Sequence, residues 1–203
     1  MRRIAVAVAA CLVTLGVGAA ALGLGDVDRA AQVGRTAERL GPPVRALVLG
    51  DSALASLRWA TGAANAVTGF EHTLDLETCR RLFTLSCPGR TGAPPPTAYE
   101  ALAAHGGAYD TLVLAVGYNE FPAYMAESFV RVVERARSLG YRRIVWWTLR
   151  NRGPSTNAGR NDRTVRDLVA GGGYDDVVIA DWARYSSSHP EWFVADGVHH
   201  QLV

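Results

Sequence analysis

At 203 residues, 49% apolar and 20% charged, the chain holds enough hydrophobic material for one α/β domain with a full core, and is too short for two ordinary domains. Its net charge of +2 and its globular balance exclude the composition of a disordered chain and call for no nucleic-acid partner. All 21 basic residues are arginine, scattered rather than clustered, so they form no phosphate-binding run.

In chain order, Arg2 and Arg3 precede an almost unbroken apolar stretch from Ile4 to Leu24, which stops before the first acid, Asp26. This is the pattern of an export signal. Ala19, Ala20 and Ala21 offer small residues for cleavage, yet a run of about 20 apolar residues is also long enough to span a bilayer. Residues 1–30 are therefore expected to be a signal peptide or an uncleaved signal anchor, the second attaching the chain to a membrane through residues 4–24. Either outcome implies a secreted or envelope-associated protein. Cys11 has a lipoprotein-like setting, but the apolar run before it is too short and the run after it too long for lipidation. Residues 31–43 form a polar lead-in that ends in Gly41-Pro42-Pro43, and the domain proper is expected over 44–203.

Within that domain the apolar runs are short and rich in aliphatic residues: Val44 to Leu49, Thr111 to Val116, Arg143 to Thr148 and Val177 to Ala180, with a weaker candidate from Glu71 to Leu76. Runs without period-two alternation suit strands buried on both faces. Helical patterns separate them. The clearest is Pro122 to Leu139, where Met125, Phe129, Val132, Val133 and Ala136 share one side and Gly140 supplies a stop. Others are expected from Ser52 to about Asn65, Thr97 to about His105 and Asn157 to Val169, with Gly92 to Pro96 as a loop. Alternating strands and helices predict a doubly wound parallel sheet of about five strands with helices on both faces.

In such a sheet, ligands bind outside the carboxyl ends of the strands. Gly50-Asp51-Ser52 follows the first run, Gly117-Tyr118-Asn119-Glu120 follows the run at Thr111, and Asp196-Gly197-Val198-His199-His200 lies beyond the last. Each has a plain structural alternative: a serine capping a helix, a polar turn, a surface turn. Together they fit one mechanism. A serine hydroxyl is a weak nucleophile until a histidine takes its proton and a carboxylate orients that histidine. Ser52, His199 and Asp196 supply those parts, while the Asn119 amide and the Ser52 N–H are candidate donors to a developing oxyanion. His200, lacking the Asp-x-x-His spacing, is expected to be solvated or packed in its loop; His72, His105 and His189 are expected to be structural. The Asp196–His200 cluster is too small a ligand set for a metal.

Gly-Asp-Ser, Gly-x-Asn and Asp-x-x-His, in this order, resemble blocks I, III and V of the SGNH/GDSL hydrolase family over Val44 to His200. The resemblance implies a flavodoxin-like three-layer α/β/α sandwich, Ser52 as nucleophile, His199 as base, Asp196 as its partner, Asn119 in the oxyanion hole, and Gly50, Asp51 and Gly117 as motif-supporting residues. It implies no metal and no organic cofactor. Two departures stand out. The family's block II glycine, whose N–H completes the oxyanion hole, is replaced here by the Leu74–Arg80 region, with Cys79 near its place and Gly89 as the alternative. The chain also stops at Val203, where the family usually continues into a closing helix, so either the sequence is truncated or the protein lacks that helix.

Export favours a Cys79–Cys87 disulfide over two buried thiols. A disulfide there would hold the block II loop rigid. The expected function is an exported serine esterase acting on short acyl esters of small-molecule, carbohydrate or lipid substrates. Transfer of the acyl group to a sugar hydroxyl, or a non-catalytic envelope or ligand-binding role, are the alternatives, and a monomer is expected.

Overall fold

The computed structural model describes residues 44–201 apart from positions 61 and 154; the export segment with Cys11, the lead-in and the last two residues lie outside the described residues. Five strands form one sheet: β1 Arg45–Gly50, β2 Glu71–Leu76, β3 Thr111–Ala115, β4 Arg143–Trp147 and β5 Val177–Ala180. All neighbours are parallel and the order is β2-β1-β3-β4-β5. This is the flavodoxin-like winding, in which the strand order reverses between β1 and β3. Each expected strand is present, the weaker one included, within a residue of its expected ends.

The helices are α1 Ser52–Ala55, α2 Ala98–His105, α3 Met125–Ser138, α4 Asn157–Ala170 and α5 Trp182–Tyr185. Alternate strand residues feed two cores. Leu47, Leu49, Leu112, Leu114, Ile144 and Trp146 pack against Ala101 and Leu102 of α2, Phe129, Val132 and Val133 of α3 and Val165 of α4. On the opposite face Val48, Val113, Val145 and Trp147 pack against Leu54, Leu57, Trp182, Trp192 and Phe193. Helix α2 starts where Thr97 and Glu100 form a reciprocal capping box, and Thr156 caps α4 in the same side-chain manner.

The segment after β1 departs from expectation. The predicted helix from Ser52 to about Asn65 is a single α turn, followed by separate 3₁₀ turns at Ser56–Arg58 and Ala64–Ala66. Gly62 adopts a φ of +75°, which a right-handed helix cannot contain. The Arg58 guanidinium is drawn toward the end of β2, donating to Leu76 O at 2.8 Å and to Glu77 Oε1 at 2.6 Å. No described helix is long and apolar enough to cross a membrane.

Candidate active site

The carboxyl ends of β1, β2 and β3 lie side by side at the reversal point. Gly50 pairs with Leu76 and with Ala115, Glu77 N donates to Gly50 O at 3.0 Å, and Asp51 N donates to Ala115 O at 3.1 Å. Gly50 has to be glycine for space, since an added Cβ would lie 2.6 Å from Leu76 Cδ2 and 3.1 Å from Leu54 Cβ. Gly117 has to be glycine for conformation: its φ is +149° and Leu149 packs against it.

The residue that caps α1 is Asp51, not Ser52. Asp51 is fully buried; its Oδ1 accepts from Ala53 N at 3.0 Å and its Oδ2 from Gly117 N at 3.1 Å and Tyr118 N at 3.2 Å. One carboxylate thus ties the exit of β1 to the exit of β3. Burial pushes its pKa up to about 6, against the opposing pull of those three N–H groups and of His199. With capping assigned to Asp51, the Ser52 hydroxyl is free to face another partner.

That partner is His199. Ser52 Oγ and His199 Nε2 are 2.9 Å apart, and His199 Nδ1 and Asp196 Oδ2 are 2.7 Å apart. Asp196 Oδ1 also accepts from Val198 N at 2.8 Å and His199 N at 3.0 Å, so the carboxylate is fixed by its own turn. Burial opposes its ionisation, but the His199 hydrogen bond and the two N–H groups outweigh it and hold its pKa at about 2. An ionised carboxylate only accepts, so Nδ1 carries the imidazole proton and Nε2 of the neutral ring presents a lone pair to the Ser52 hydroxyl. The His199 and Asp196 side chains are each 47% exposed, so the array lies open to solvent.

Several residues that sequence reasoning missed hold these loops. Val194 N donates to His199 O and Gln201 N to Trp192 O, both at 2.9 Å, closing a short antiparallel pairing around Phe193 and His200. Arg150 donates to Gly197 O and Arg152 to Ala195 O, and Arg150 lies 4.0 Å over the Phe193 ring. The Asn161 amide, fully buried, donates to Gly117 O and Glu120 O, each at 2.9 Å, and braces the turn that carries Asn119. The buried Glu120 carboxylate accepts from Leu82 N at 2.9 Å and Thr84 Oγ1 at 2.7 Å, joining that turn to the segment after β2. These bonds span 36 to 47 positions and leave no local sequence pattern.

Asn119 Nδ2 lies 3.4 Å from Arg80 O, which places its amide beside the segment that follows β2. Cys79 is disulfide-bonded to Cys87. Its φ of +69° makes it the one non-glycine residue with a positive φ among the described residues. This region costs an ordinary L-residue roughly 1–2 kcal/mol and glycine almost nothing. Among the described residues, no acceptor meets the N–H of Ser52 or of Cys79. Gly89, the alternative to Cys79, has its N–H committed to Ala93 O at 2.9 Å, which removes it as a free donor.

His200 is buried rather than solvated: its ring packs on Trp182 and Phe193, and its Nδ1 has no partner among the described residues. Burial, with help from the nearby His199 and Arg150 charges, lowers its pKa to about 4. His105 pairs with Asp75 at 3.0 Å, and His189 stacks on Trp192. No group of three or more His, Cys, Asp or Glu among the described residues is placed to share a metal ion.

No family model and no curated protein matches the chain. Among solved structures, the C-terminal catalytic domain of peptidoglycan O-acetyltransferase A from Streptococcus pneumoniae, determined with a methylsulfonyl adduct, superposes with a TM-score of 0.52. The two share 16% identity over 79% of this chain and 81% of that one. An acetyl esterase determined with an acetate ion gives a TM-score of 0.46 at 17% identity, over 78% of this chain and 88% of that one. At these identities the first likeness establishes a shared fold and no more.

Proposed function

We propose that this chain, which has the SGNH hydrolase-like fold, is an extracytoplasmic serine-dependent enzyme that cleaves carboxylic esters through an acyl-enzyme intermediate. The observation that carries the reading is the continuous hydrogen-bond chain from Ser52 Oγ through His199 to Asp196, at 2.9 and 2.7 Å. Ser52 Oγ attacks the ester carbonyl carbon as His199 Nε2 takes its proton, and Asp196 steadies the resulting imidazolium. The carbonyl oxygen becomes an oxyanion facing the N–H groups of Ser52 and Cys79 and the Asn119 amide, which turns from Arg80 O toward it. Collapse breaks the bond to the alkoxy group, which leaves with the proton from His199. Water, deprotonated by His199, then attacks the acyl carbon, and the returning proton restores Ser52.

A second reading is supported by the open position of the array, with His199 and Asp196 half in solvent. The same acyl-enzyme can pass its acyl group to a sugar hydroxyl in place of water, as the name of the pneumococcal O-acetyltransferase neighbour suggests for that protein. An envelope or secreted setting is supported by the Cys79–Cys87 disulfide, since such bonds persist in oxidising compartments. Hydrolysis of p-nitrophenyl acetate by wild type and Ser52→Ala tests the reaction. Loss of turnover by on the order of 10³-fold or more is expected; equal rates would remove Ser52 from the mechanism. Product analysis with an added glycan acceptor separates transfer from hydrolysis, since only transfer yields an acylated sugar.

A further inference from the structure

We propose that the Cys79–Cys87 disulfide is a positioning device for the oxyanion side of the site, so that ester cleavage depends on this bond being oxidised. The inference rests on the acyl-transfer reading above and concerns the control of that same site. Cys79 stands three residues beyond β2, and β2 lies in hydrogen-bonded register with the strand that delivers Ser52. The chain on either side of it is pinned. Arg58 holds Leu76 O and Glu77, while the buried Arg80 donates to Asp75 O and Asp75 Oδ1, each at 2.7 Å, and to Pro96 O at 3.1 Å. Asp75 is held ionised by this arrangement: burial alone would raise its pKa, but the Arg80 charge and hydrogen bond, with His105, bring it below its ordinary value.

Between these pins the Thr78–Cys79 peptide plane sets where the Cys79 N–H points. With both flanks fixed, Cys79 can leave its φ of +69° for the region that L-residues prefer only if that plane rotates and swings the N–H away. Arg80 O, the carbonyl against which the Asn119 amide rests, lies on the pinned flank, so the rotation moves the Cys79 N–H relative to that amide. A covalent tie from Cys79 to Cys87 opposes the rotation, and Cys87 is itself located by the buried Ser86, whose Oγ accepts from Arg81 N at 3.2 Å. Cys79 and Cys87 are both half-buried. In reduction, a dithiothreitol thiolate attacks one sulfur, the other leaves as a thiolate, and the second dithiothreitol thiol closes the ring. Two protein thiols and one cyclic disulfide result. Cys79 is then an ordinary residue in an unfavourable conformation, without its covalent tie to Cys87.

The test is kcat and KM for p-nitrophenyl acetate on the oxidised and dithiothreitol-reduced wild type, beside Cys79→Gly/Cys87→Ser and Cys79→Ala/Cys87→Ser. Reduction is expected to lower wild-type kcat by roughly 10²-fold, with KM little changed, as for loss of an oxyanion donor. The two variants lack the disulfide equally, so a general loss of stability affects both. The glycine variant is expected to recover at least about tenfold of kcat over the alanine variant, because glycine occupies a positive φ without strain. Reduced wild type with undiminished kcat, or glycine and alanine variants of equal kcat, would overturn the inference. Oxidised wild type without any esterase or transferase activity would instead overturn the reading of the site on which it rests.

Discussion

Asp51 sets the site's geometry as much as Ser52 does, because its carboxylate accepts three backbone N–H groups while fully buried. Asparagine has the same shape but offers one oxygen, so an Asp51→Asn variant turns an NH₂ toward two N–H donors or toward one, and leaves buried donors unmatched either way. Each such group costs about 1–3 kcal/mol. Urea unfolding is expected to show a loss of about 3 kcal/mol, with kcat falling as the turn that carries Asn119 loosens. A variant of unchanged midpoint would show that the carboxylate is not the tie described. His200 offers a prediction of different sign. Its pKa falls from an ordinary 6.5 to about 4 in the folded chain, so the unfolded chain binds the extra proton between those values. The stability that neutral His200 contributes is present above pH 6.5 and lost as the pH falls toward 4, by about 3 kcal/mol over that window. Asp51, raised from 3.8 to about 6, acts in the opposite direction over much of the same range and masks the effect in wild type. The difference between wild type and His200→Phe removes that masking. The variant is expected to gain on wild type steadily from pH 6.5 to 4 in urea midpoints, and a constant difference would contradict the burial of His200.

At the scale of elements, the loops that bear the site are held by side chains that reach across the sheet. Asn161, on α4, braces Gly117 and Glu120 from a buried position. Asn161→Leu keeps the number and branching of side-chain heavy atoms and strips both carbonyls of their donor, so we expect a loss of about 2–4 kcal/mol in urea unfolding. Unchanged stability would mean those carbonyls find other donors. The strands were legible in the sequence because a strand buried on both faces has to be apolar along its length, as in Leu47-Val48-Leu49 and Leu112-Val113-Leu114. Helix α3 was legible because its one buried face repeats at helical spacing. The segment after β1 was not, since its Ala- and Ser-rich stretch suits a helix locally while Gly62 and the pull of Leu76 O and Glu77 on Arg58 break it. The Gly-Asp-Ser, Gly-x-Asn and Asp-x-x-His motifs marked which strand ends to inspect. They did not show the role of Asp51, nor the bracing by Asn161, Arg150 and Glu120, because side-chain to backbone bonds between distant loops impose no spacing. The left-handed Cys79 was equally hidden, since a cysteine carries no sign of its φ.

For the whole molecule, the reversal of strand order between β1 and β3 gathers three loops at one edge, and the short pairing of residues 192–194 with 199–201 brings His199 to the same edge. Two packed cores lie on either side of the sheet behind that edge, and the proposed oxyanion site requires such a fixed frame. A fluorophosphonate probe reports on the assembled arrangement most directly, because it reacts only with a serine that is activated and faces such donors. Intact-mass and peptide mapping of the oxidised protein are expected to find one adduct per chain, on Ser52, and almost none in His199→Ala. An adduct on another residue, or catalytic turnover of esters with Ser52 left unmodified, would contradict the account.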